Sequence, residues 1–396
     1  TDMRDFPKLV LHPAKERSIR LYHPWIFSGA VKSVTQGVVE GDVVDVYSND
    51  HKYLATGHYH EGSIKVRIFS FEKTEFGKEF WHSKFFNAID LRKHLGLINN
   101  KTNNVYRLIH AEGDGLPGLI IDVYGTTAVI QAHTIGMYNA ISDITSAILE
   151  FPELGIDTIF NKSDDTLRKQ ALSETTNSLI HGTKLEDVVI ENGIKFYINW
   201  AEGQKTGFFI DQRENRQLLQ KYSRDKKVLN TFSYSGGFSM YALAAGASLV
   251  HSVDSSARAK DWAEKNAMLN AGESRHSFYK EDVFDFLKKN QDYYDVIILD
   301  PPAFAKHLSS AKKAIIGYRN LNTEGIKRIS PGGILFTFSC SQVIDKQMFR
   351  KIIFQAAAQS GRNVKVLHQL SQGPDHPVSV FHPEGEYLKG LALYVE

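Results

Sequence analysis

From about residue 226 onward, short apolar segments alternate with longer helical segments at regular spacing. The predicted strands are 228–231, 249–253, 276–279, 295–299 and 333–338, and the predicted helices between them are 238–245, 257–269, 283–289 and 312–328. The uninterrupted apolar run 296–299 suits a strand that is buried on both faces. Repeated strand–helix units of this length predict an α/β fold with a parallel, doubly wound sheet. After a helix at 348–359, strands at 364–370 and 388–395 are expected to add an antiparallel edge pair.

The first 191 residues do not show this regular alternation of strands and helices. Residues 1–75 carry short alternating apolar runs closed by glycines, which predicts a small β-rich domain with one short helix at 13–21. The following block combines helices at 78–97 and 137–149 with strands at 128–132 and 158–161, which predicts an α+β domain. We therefore expect three domains, at 1–75, 76–191 and 192–396, which fits the length of 396 residues.

Composition limits the class of protein further. The chain has one cysteine, Cys340, and a formal net charge of +2. A single cysteine excludes a disulfide framework and a cysteine-clustered zinc site, and it fits a reducing compartment. The histidines and carboxylates show no usual metal-ligand spacing, so no metal is expected. Since the sequence has no signal-like start and no run of about 18 apolar residues, we expect a cytoplasmic protein without membrane contact.

The loops after the first three predicted strands carry the residues expected of a nucleoside site, because ligands of open α/β sheets bind at the carboxyl ends of the strands. Paired glycines follow the first strand, and Asp254 lies 18 residues after Gly236, where an acid is placed to bind ribose hydroxyls. Asp282 and Val283 follow the third strand and suit an adenine amino group and ring. The candidate cofactor-binding residues in these loops are Asn230, Phe232, Ser233, Tyr234, Gly236, Asp254, Ser255, Asp282 and Val283.

These loops predict an adenosine-containing ligand without a tightly held pyrophosphate, because neither the dinucleotide fingerprint nor a P-loop is present. S-adenosylmethionine fits better than NAD or ATP. The alternative is that the glycines and acids are only turn and cap residues. Three such loops on successive strands favour the ligand site.

The last two parallel strands end in residues that suit a flat substrate. Asp300, Pro301 and Pro302 follow the fourth strand, and two prolines make a stiff, extended loop that fixes Asp300. The only cysteine, Cys340, follows the fifth strand. A lone cysteine is more often a small buried hydrophobe than a nucleophile, but its place beside the Asp-Pro-Pro loop makes it a candidate catalytic residue.

Two segments near this predicted site are basic although the whole chain is almost neutral. Residues 205–227 contain seven Lys and Arg against three acids, and residues 306–328 contain six against one. Such clustering is typical of a surface that binds a polyanion. The alternative is an ordinary solvated helix face.

With these motifs the chain resembles the bacterial 23S ribosomal RNA large-subunit methyltransferase I family, which methylates carbon 5 of cytidine. The likeness covers nearly the whole length. It rests on the motifs at 23–30, 112–118, 203–213, 232–238, 300–302 and 337–341. The resemblance implies an N-terminal PUA domain, a central α+β domain and a C-terminal Rossmann-like methyltransferase. It also implies an RNA partner, most often 23S rRNA, and suggests a homodimer.

The resemblance implies roles for further residues. The lead-in segment 203–213 would contribute Phe209, Asp211 and Arg213 to the cofactor site, together with Asp300 and Pro301 of the Asp-Pro-Pro loop. Substrate contacts are expected from Lys205, Pro302, Phe304, Lys306 and Tyr318, where the two aromatic residues are either stacking partners or ordinary core residues. Ala303 stands where some relatives carry lysine, and Lys306 is the candidate substitute.

The implied chemistry explains the two catalytic candidates. Carbon 5 of cytosine is a poor nucleophile, so Cys340 would add to carbon 6 while Asp300 hydrogen-bonds the edge of the base. The base must be unpaired or flipped to be reached. Two other hypotheses stay open: methylation of an exocyclic amine held by Asp300, and a noncatalytic RNA-binding or ribosome-assembly factor that retains the S-adenosylmethionine pocket.

Overall fold

The computed structural model describes residues 5–167 and 175–396. Contacts divide the chain into two compact units. The first unit comprises Thr1–Val189, Ile198–Ile210 and Pro374–Gly385, and the second comprises Ile190–Tyr197, Asp211–Gly373 and Glu386–Glu396. The expected division into three domains at 1–75, 76–191 and 192–396 stays a prediction. No helix within the described ranges is long and apolar enough to cross a membrane.

A six-stranded sheet forms the beginning of the first unit. Its elements are β1 (Lys8–Leu11), α1 (Arg17–Arg20), β2 (Trp25–Phe27), β3 (Val31–Val34), β4 (Val43–Tyr47), β5 (Tyr53–Tyr59) and β6 (Ile64–Ser70), in the sheet order β2-β6-β5-β4-β1-β3. Alternate residues such as Leu9, Val46 and Val66 are fully buried in its core. The helix expected at 13–21 is only the four residues of α1, because Ala14 has a φ of 60°, which a right-handed helix cannot contain.

The rest of the described first unit is largely a five-stranded sheet with helices. Its elements are α2 (Lys78–His94), β7 (Val105–His110), β8 (Leu119–Tyr124), β9 (Thr127–Ala132), α3 (Ile135–Asn139), α4 (Ile141–Leu149), β10 (Thr158–Asn161), α5 (Asp164–Leu167) and β11 (Ser178–His181), in the order β11-β10-β9-β8-β7. Trp81, Phe85 and Ile89 place one face of α2 in the core. The single helix expected at 137–149 is interrupted at Ala140, whose φ of −91° and ψ of 4° depart from helical values.

The segment Pro374–Gly385 belongs to the first unit although it lies far along the chain. The fully buried Arg92 pairs with Asp114 at 2.6 Å and also donates to the backbone carbonyl of Asp375 at 2.9 Å. The carboxylate of Asp375, itself fully buried, accepts from the backbone N–H of Arg107 at 2.9 Å. A buried arginine is stable only when its donors are satisfied, so this late segment completes the polar centre of the unit.

A hairpin of β12 (Glu186–Glu191) and β13 (Ile194–Asn199) follows, and its residues are shared between the two units. The second unit then contains α6 (Arg213–Ser223), β14 (Lys227–Thr231), α7 (Gly237–Ala244), β15 (Leu249–Asp254), α8 (Ala257–Leu269), β16 (His276–Lys280), α9 (Val283–Lys289), β17 (Tyr294–Leu299), α10 (Ala311–Arg328), β18 (Ile329–Ser339), α11 (Lys346–Ser360), β19 (Val364–Leu370) and β20 (Lys389–Val395). From β14 onward these bounds lie within a few residues of those expected from the sequence, whereas α6 was not predicted.

The second unit is built on a seven-stranded sheet in the order β16-β15-β14-β17-β18-β20-β19. Strands β14 to β18 are mutually parallel, as predicted. The last two strands, β19 and β20, pair antiparallel with each other, as expected. Strand β20 lies between β18 and β19 and is antiparallel to both, so β19 runs parallel to β18. The strand order reverses between β14 and β17, which marks the point where such sheets bind ligands.

A buried ion pair lies in the second unit. The guanidinium of Arg216 donates to both carboxylate oxygens of Glu191, at 2.8 and 3.0 Å, and the two side chains are 2% and 0% exposed. The hydroxyl of Tyr241 donates to the same carboxylate at 2.8 Å. The Nε of Arg216 also donates to this carboxylate, at 3.0 Å, so Glu191 accepts buried hydrogen bonds from two nitrogens of the arginine and from the tyrosine.

Candidate functional site

The carboxyl ends of the five parallel strands bring the predicted site residues of the second unit to one edge of the sheet. Pairing of Asp254 with Lys280, Thr231 with Val253 and with Leu299, and Leu299 with Thr337 sets the strand ends side by side. The residues that follow these ends come in this order across the sheet: Asp282, Asp254, the loop 232–236, Asp300 and Cys340. The sequence predicted that these residues lie at the carboxyl ends of the strands, and their roles in a site stay predictions.

The loop between β14 and α7 has an unusual backbone. Phe232, Tyr234 and Gly236 all have positive φ values, of 50°, 47° and 84°. Positive φ costs energy for Phe and Tyr, and such strain is typical of loops shaped for a ligand. The buried hydroxyl of Ser235 has no hydrogen-bond partner among the described residues. This loop can therefore accept a polar ligand close to its backbone.

Asp254 fixes this loop and retains capacity for a ligand. Its carboxylate accepts the backbone N–H of Tyr234 at 3.0 Å and that of Ser256 at 3.0 Å, and the residue is partly exposed. An ionised carboxylate has about four acceptor positions, so two remain for ribose hydroxyls. Among the predicted cofactor residues, Asp254 has the geometry best suited to that role.

The other predicted cofactor residues of these loops have structural partners. Asp282 is exposed and caps α9 by accepting the backbone N–H of Asp285 at 3.0 Å, while Val283 is 3% exposed and packs in the core. Asn230 is buried and donates to the hydroxyl of Ser239 at 2.9 Å. Ser233 is buried and Ser255 is exposed. The exposed carboxylate of Asp282 still has surface for an adenine contact, whereas the buried side chain of Val283 offers almost none.

A polar relay that the sequence did not reveal orients Asp300. The side-chain amide of Gln212 donates to the carboxylate of Asp300 at 3.2 Å, and its oxygen accepts from Asn215 at 2.7 Å. The same Asn215 amide donates to the carbonyl of Ser371 at 3.1 Å. Gln212 is 2% exposed, so this relay is sheltered from water and fixes the direction of the Asp300 carboxylate.

The Asp-Pro-Pro loop continues into an aromatic cluster. Pro301 is buried and Pro302 exposed, and the ring of Phe304 lies 4.6 Å from that of Tyr318. Tyr318 is fully buried and also contacts Phe349, which favours the core role over base stacking for this residue. Burial raises the pKa of its hydroxyl to about 12. Phe304 is partly exposed and keeps a face for a substrate.

Cys340 lies in a loop that is anchored on both sides. It is partly exposed, and Ser341 beside it is buried and donates to the carbonyl of Ala305 at 2.6 Å. This bond ties the cysteine loop to the Asp-Pro-Pro loop. From the other side, the ammonium of Lys389 donates to the carbonyl of Ser341 at 2.7 Å. The structure therefore places the thiol and Asp300 on two loops that are joined to each other.

The lead-in residues are divided between the units. In the second unit, Asp211 is 5% exposed and accepts from the hydroxyl of Tyr387 at 2.7 Å, and Arg213 is 2% exposed and donates to Glu214 at 3.1 Å. Lys205 and Phe209 belong to the first unit, where the ammonium of Lys205 lies 4.6 Å from the ring centroid of Phe209. Their proposed contacts with cofactor and substrate stay predictions.

The basic segment 205–227 does not form the single positive face that its composition suggests. Arg213 and Arg216 are both buried. Three more basic residues border a cavity of about 400 Å³ beside the starts of β14, β17 and β18, at the amino edge of the sheet: Lys221, Arg224 and Lys226. In the segment 306–328, by contrast, the exposed residues Lys306, Lys312 and Lys313 follow the Asp-Pro-Pro loop. The positive surface near the site is therefore smaller than a count of charges implies.

Two functional candidates were missed in the sequence. Gln212 lies within the motif 203–213 but has no charge or nucleophilic atom to mark it. Lys389 is the one charged residue in the apolar stretch 388–393. This irregularity is the one feature of the local sequence that could have indicated a special role. Both contact partners that are far away in sequence.

Profiles of two families match the chain. The profile described as S-adenosylmethionine-dependent methyltransferase matches residues 166–385, and that of a PUA-like domain matches residues 9–71. With the parallel sheet, they confirm the predicted fold class.

Several proteins are similar over nearly their whole length. One from Pseudoalteromonas atlantica, named ribosomal RNA large subunit methyltransferase I, is 41% identical over 98% of this chain and 99% of its own. A protein of the same name from Vibrio parahaemolyticus is 40% identical with the same coverage. The solved structure of SMU.776, assigned as a methyltransferase and complexed with SAH, has a TM-score of 0.84 and 23% identity over 98% of this chain and 99% of that one. At this identity the structural likeness shows the fold alone.

Proposed function

This chain belongs to the ribosomal RNA large subunit methyltransferase I family of S-adenosylmethionine-dependent methyltransferases, and from that premise we propose its reaction. The proposed substrate is a cytidine in large-subunit ribosomal RNA, most specifically 23S rRNA, and the proposed product is 5-methylcytidine. The observation that carries this proposal is the position of the only cysteine, partly exposed on a loop bonded to the Asp-Pro-Pro loop. An enzyme that methylates an exocyclic amine needs no nucleophile there.

The residues of the chain act on the base in the following way. The Cys340 thiolate attacks carbon 6 of cytosine, forming an S–C bond and moving an electron pair toward carbon 5. Asp300, oriented by Gln212, accepts a hydrogen bond from the amino group, and a proton held between its second oxygen and the ring nitrogen N3 neutralises the charge that develops there. S-adenosylmethionine, the cofactor of the family, supplies the methyl group. A base or a water molecule then takes the proton from carbon 5, and the electrons left there re-form the carbon 5–carbon 6 double bond and expel the Cys340 sulfur as a thiolate.

The same edge of the sheet offers the residues that would hold the cofactor. Asp254 supplies acceptor positions for ribose hydroxyls, the loop 232–236 supplies backbone and a buried hydroxyl, and Asp282 with Val283 lies one strand further on. Asp211 and Arg213 flank Gln212 and are proposed to support the methionine end. These roles fit a nucleoside with a charged tail and no pyrophosphate.

RNA must present an unpaired cytidine to this edge, since a stacked base hides carbon 6. We assign Pro302 and the partly exposed face of Phe304 to contact with the base. Lys306, followed by Lys312 and Lys313, is exposed and positioned to bind phosphates. The PUA-like residues 9–71 are proposed to add RNA contacts from the first unit.

Replacing Asp254 with alanine is expected to weaken S-adenosylmethionine binding by about 10- to 100-fold, because charge-assisted hydrogen bonds contribute roughly 1.5–3 kcal/mol. Isothermal titration calorimetry with S-adenosylmethionine measures the change. The matched control is Asp225→Asn, which removes the charge of an exposed acid that precedes β14 at the opposite edge, keeps a residue type that tolerates the local φ of 58°, and should leave the affinity unchanged. Equal affinity of the Asp254 variant and wild type would remove Asp254 from the cofactor site.

The product itself tests the proposed reaction. Unmodified large-subunit rRNA is incubated with wild-type protein and S-adenosylmethionine, digested, and analysed by nucleoside mass spectrometry. We expect 5-methylcytidine. A methyl group on an exocyclic amine would select the second chemistry, and RNA binding without methyl transfer to either naked rRNA or assembled subunits would select the noncatalytic function.

A further inference from the structure

Lys389 occupies an unusual position beside the cysteine loop. It is the first residue of β20 and pairs with Ser339, the last residue of β18 and the one that precedes Cys340. Its side chain is 7% exposed, and its ammonium donates to the carbonyl of Ser341 at 2.7 Å. The lysine is therefore fixed at both ends, by strand pairing at its backbone and by a hydrogen bond at its ammonium.

Burying an ammonium is costly unless nearby groups compensate it. Burial lowers the pKa of Lys389 to about 8, and negative charge on Cys340 and on Asp345 opposes that change, while Lys346 adds to it. Tyr318 of α10 is also coupled to this thiol, and its own pKa is raised mainly by burial and further by the charges of Cys340 and Asp300. Lys389 is thus a buried cation whose charge is coupled to that of the thiol.

We propose that Lys389 is a positioning residue for Cys340, which holds the loop that carries the thiol and stabilises the thiolate form. The reason for activating Cys340 rests on the proposed function. The effect of Lys389 on the ionisation of the thiol does not, because it can be measured without RNA or cofactor. The bond to the Ser341 carbonyl fixes the loop from one side, and the Ser341–Ala305 bond fixes it from the other. A cation next to a thiol favours its ionised form, which is the nucleophile.

The single cysteine makes a direct test possible, because alkylation of the folded chain reports on Cys340 alone. The rate of reaction with iodoacetamide is measured from about pH 6 to about pH 10 in wild type, Lys389→Met and Lys389→Arg. In Lys389→Met we expect the alkylation rate near neutral pH to be about tenfold lower, because the thiol should ionise about one pH unit higher. The maximal alkylation rate at high pH should be unchanged. Lys389→Arg keeps the charge and is expected to restore most of the rate.

The matched control is Lys365→Met on the neighbouring strand β19, where the lysine is exposed and pairs with Glu396. Its profile should match that of wild type. If the pH profile of Lys389→Met superimposes on that of wild type, the proposal is overturned. It is also overturned if the alkylation rate at high pH falls in both Lys389 variants, because that result indicates only a disturbed loop. If the profile shifts as expected but wild type makes no 5-methylcytidine, the proposed reaction fails while the role of Lys389 stands.

Discussion

Cys340→Ala is expected to reduce methyl transfer to RNA by more than about 10³-fold, because loss of a covalent nucleophile removes the path through the adduct. Incorporation of a labelled methyl group from S-adenosylmethionine measures the loss. With RNA that contains 5-fluorocytidine, wild type should form a covalent complex that survives denaturing electrophoresis, since fluorine cannot leave carbon 5 as a proton does. The alanine variant should form none.

Binding measurements separate this loss from misfolding. Since Cys340 is small and partly exposed, the alanine variant should keep its affinity for S-adenosylmethionine and for RNA, as well as its melting temperature. Nearly full activity of the variant would contradict the covalent mechanism. It would favour methylation of an exocyclic amine gripped by Asp300.

Glu191→Leu is expected to lower the free energy of unfolding by about 3–5 kcal/mol, because it leaves the buried guanidinium of Arg216 without its counter-charge. The variant also removes the nearer acceptor of the Tyr241 hydroxyl, at 2.8 Å, and leaves only the Glu191 backbone carbonyl at 3.4 Å. For a unit of this size each kcal/mol corresponds to roughly 2–4 °C in melting temperature. Differential scanning calorimetry and urea unfolding both measure the effect.

A second substitution shows whether the charge is responsible. In the double variant Glu191→Leu with Arg216→Met no buried ion remains, so much of the lost stability should return. The control Asp225→Asn removes the charge of a side chain that is 88% exposed, and asparagine tolerates the φ of 58° at this position, so the melting temperature should not shift. A double variant as unstable as Glu191→Leu alone would mean that packing around the pair, not its charge, carries the stability.

Local pattern was enough to predict most of the second unit. The apolar run 296–299 and the regular spacing of strands and helices reflect burial, which acts on each segment separately. The place of β20 was not predictable in this way, because pairing with β18 and β19 depends on partners chosen across the whole sheet. From the sequence, Arg216 is counted with the basic surface residues. It is buried because it pairs with Glu191 of a hairpin that precedes it in the chain.

The placement of the candidate site residues at the strand ends was predictable to the same extent. Strand ends carry Asp254, Asp300 and Cys340 because the topology of a parallel sheet brings its carboxyl ends together. The residues that orient these groups, Gln212 and Lys389, reach them through long-range contacts that leave no periodic trace in the sequence. Positioning residues of this kind can therefore be recognised only in the three-dimensional structure.

The late segment Pro374–Gly385 has a consequence for the order in which the molecule is made. Arg92 and Arg107 find their buried partner 283 and 268 residues later in the chain. On a ribosome that adds about 5–20 residues per second, the first unit therefore waits many seconds for Asp375, through synthesis of nearly all of the second. Folding of the two units is thus interleaved in time, and a fragment that stops at residue 210 lacks a part of its own interior.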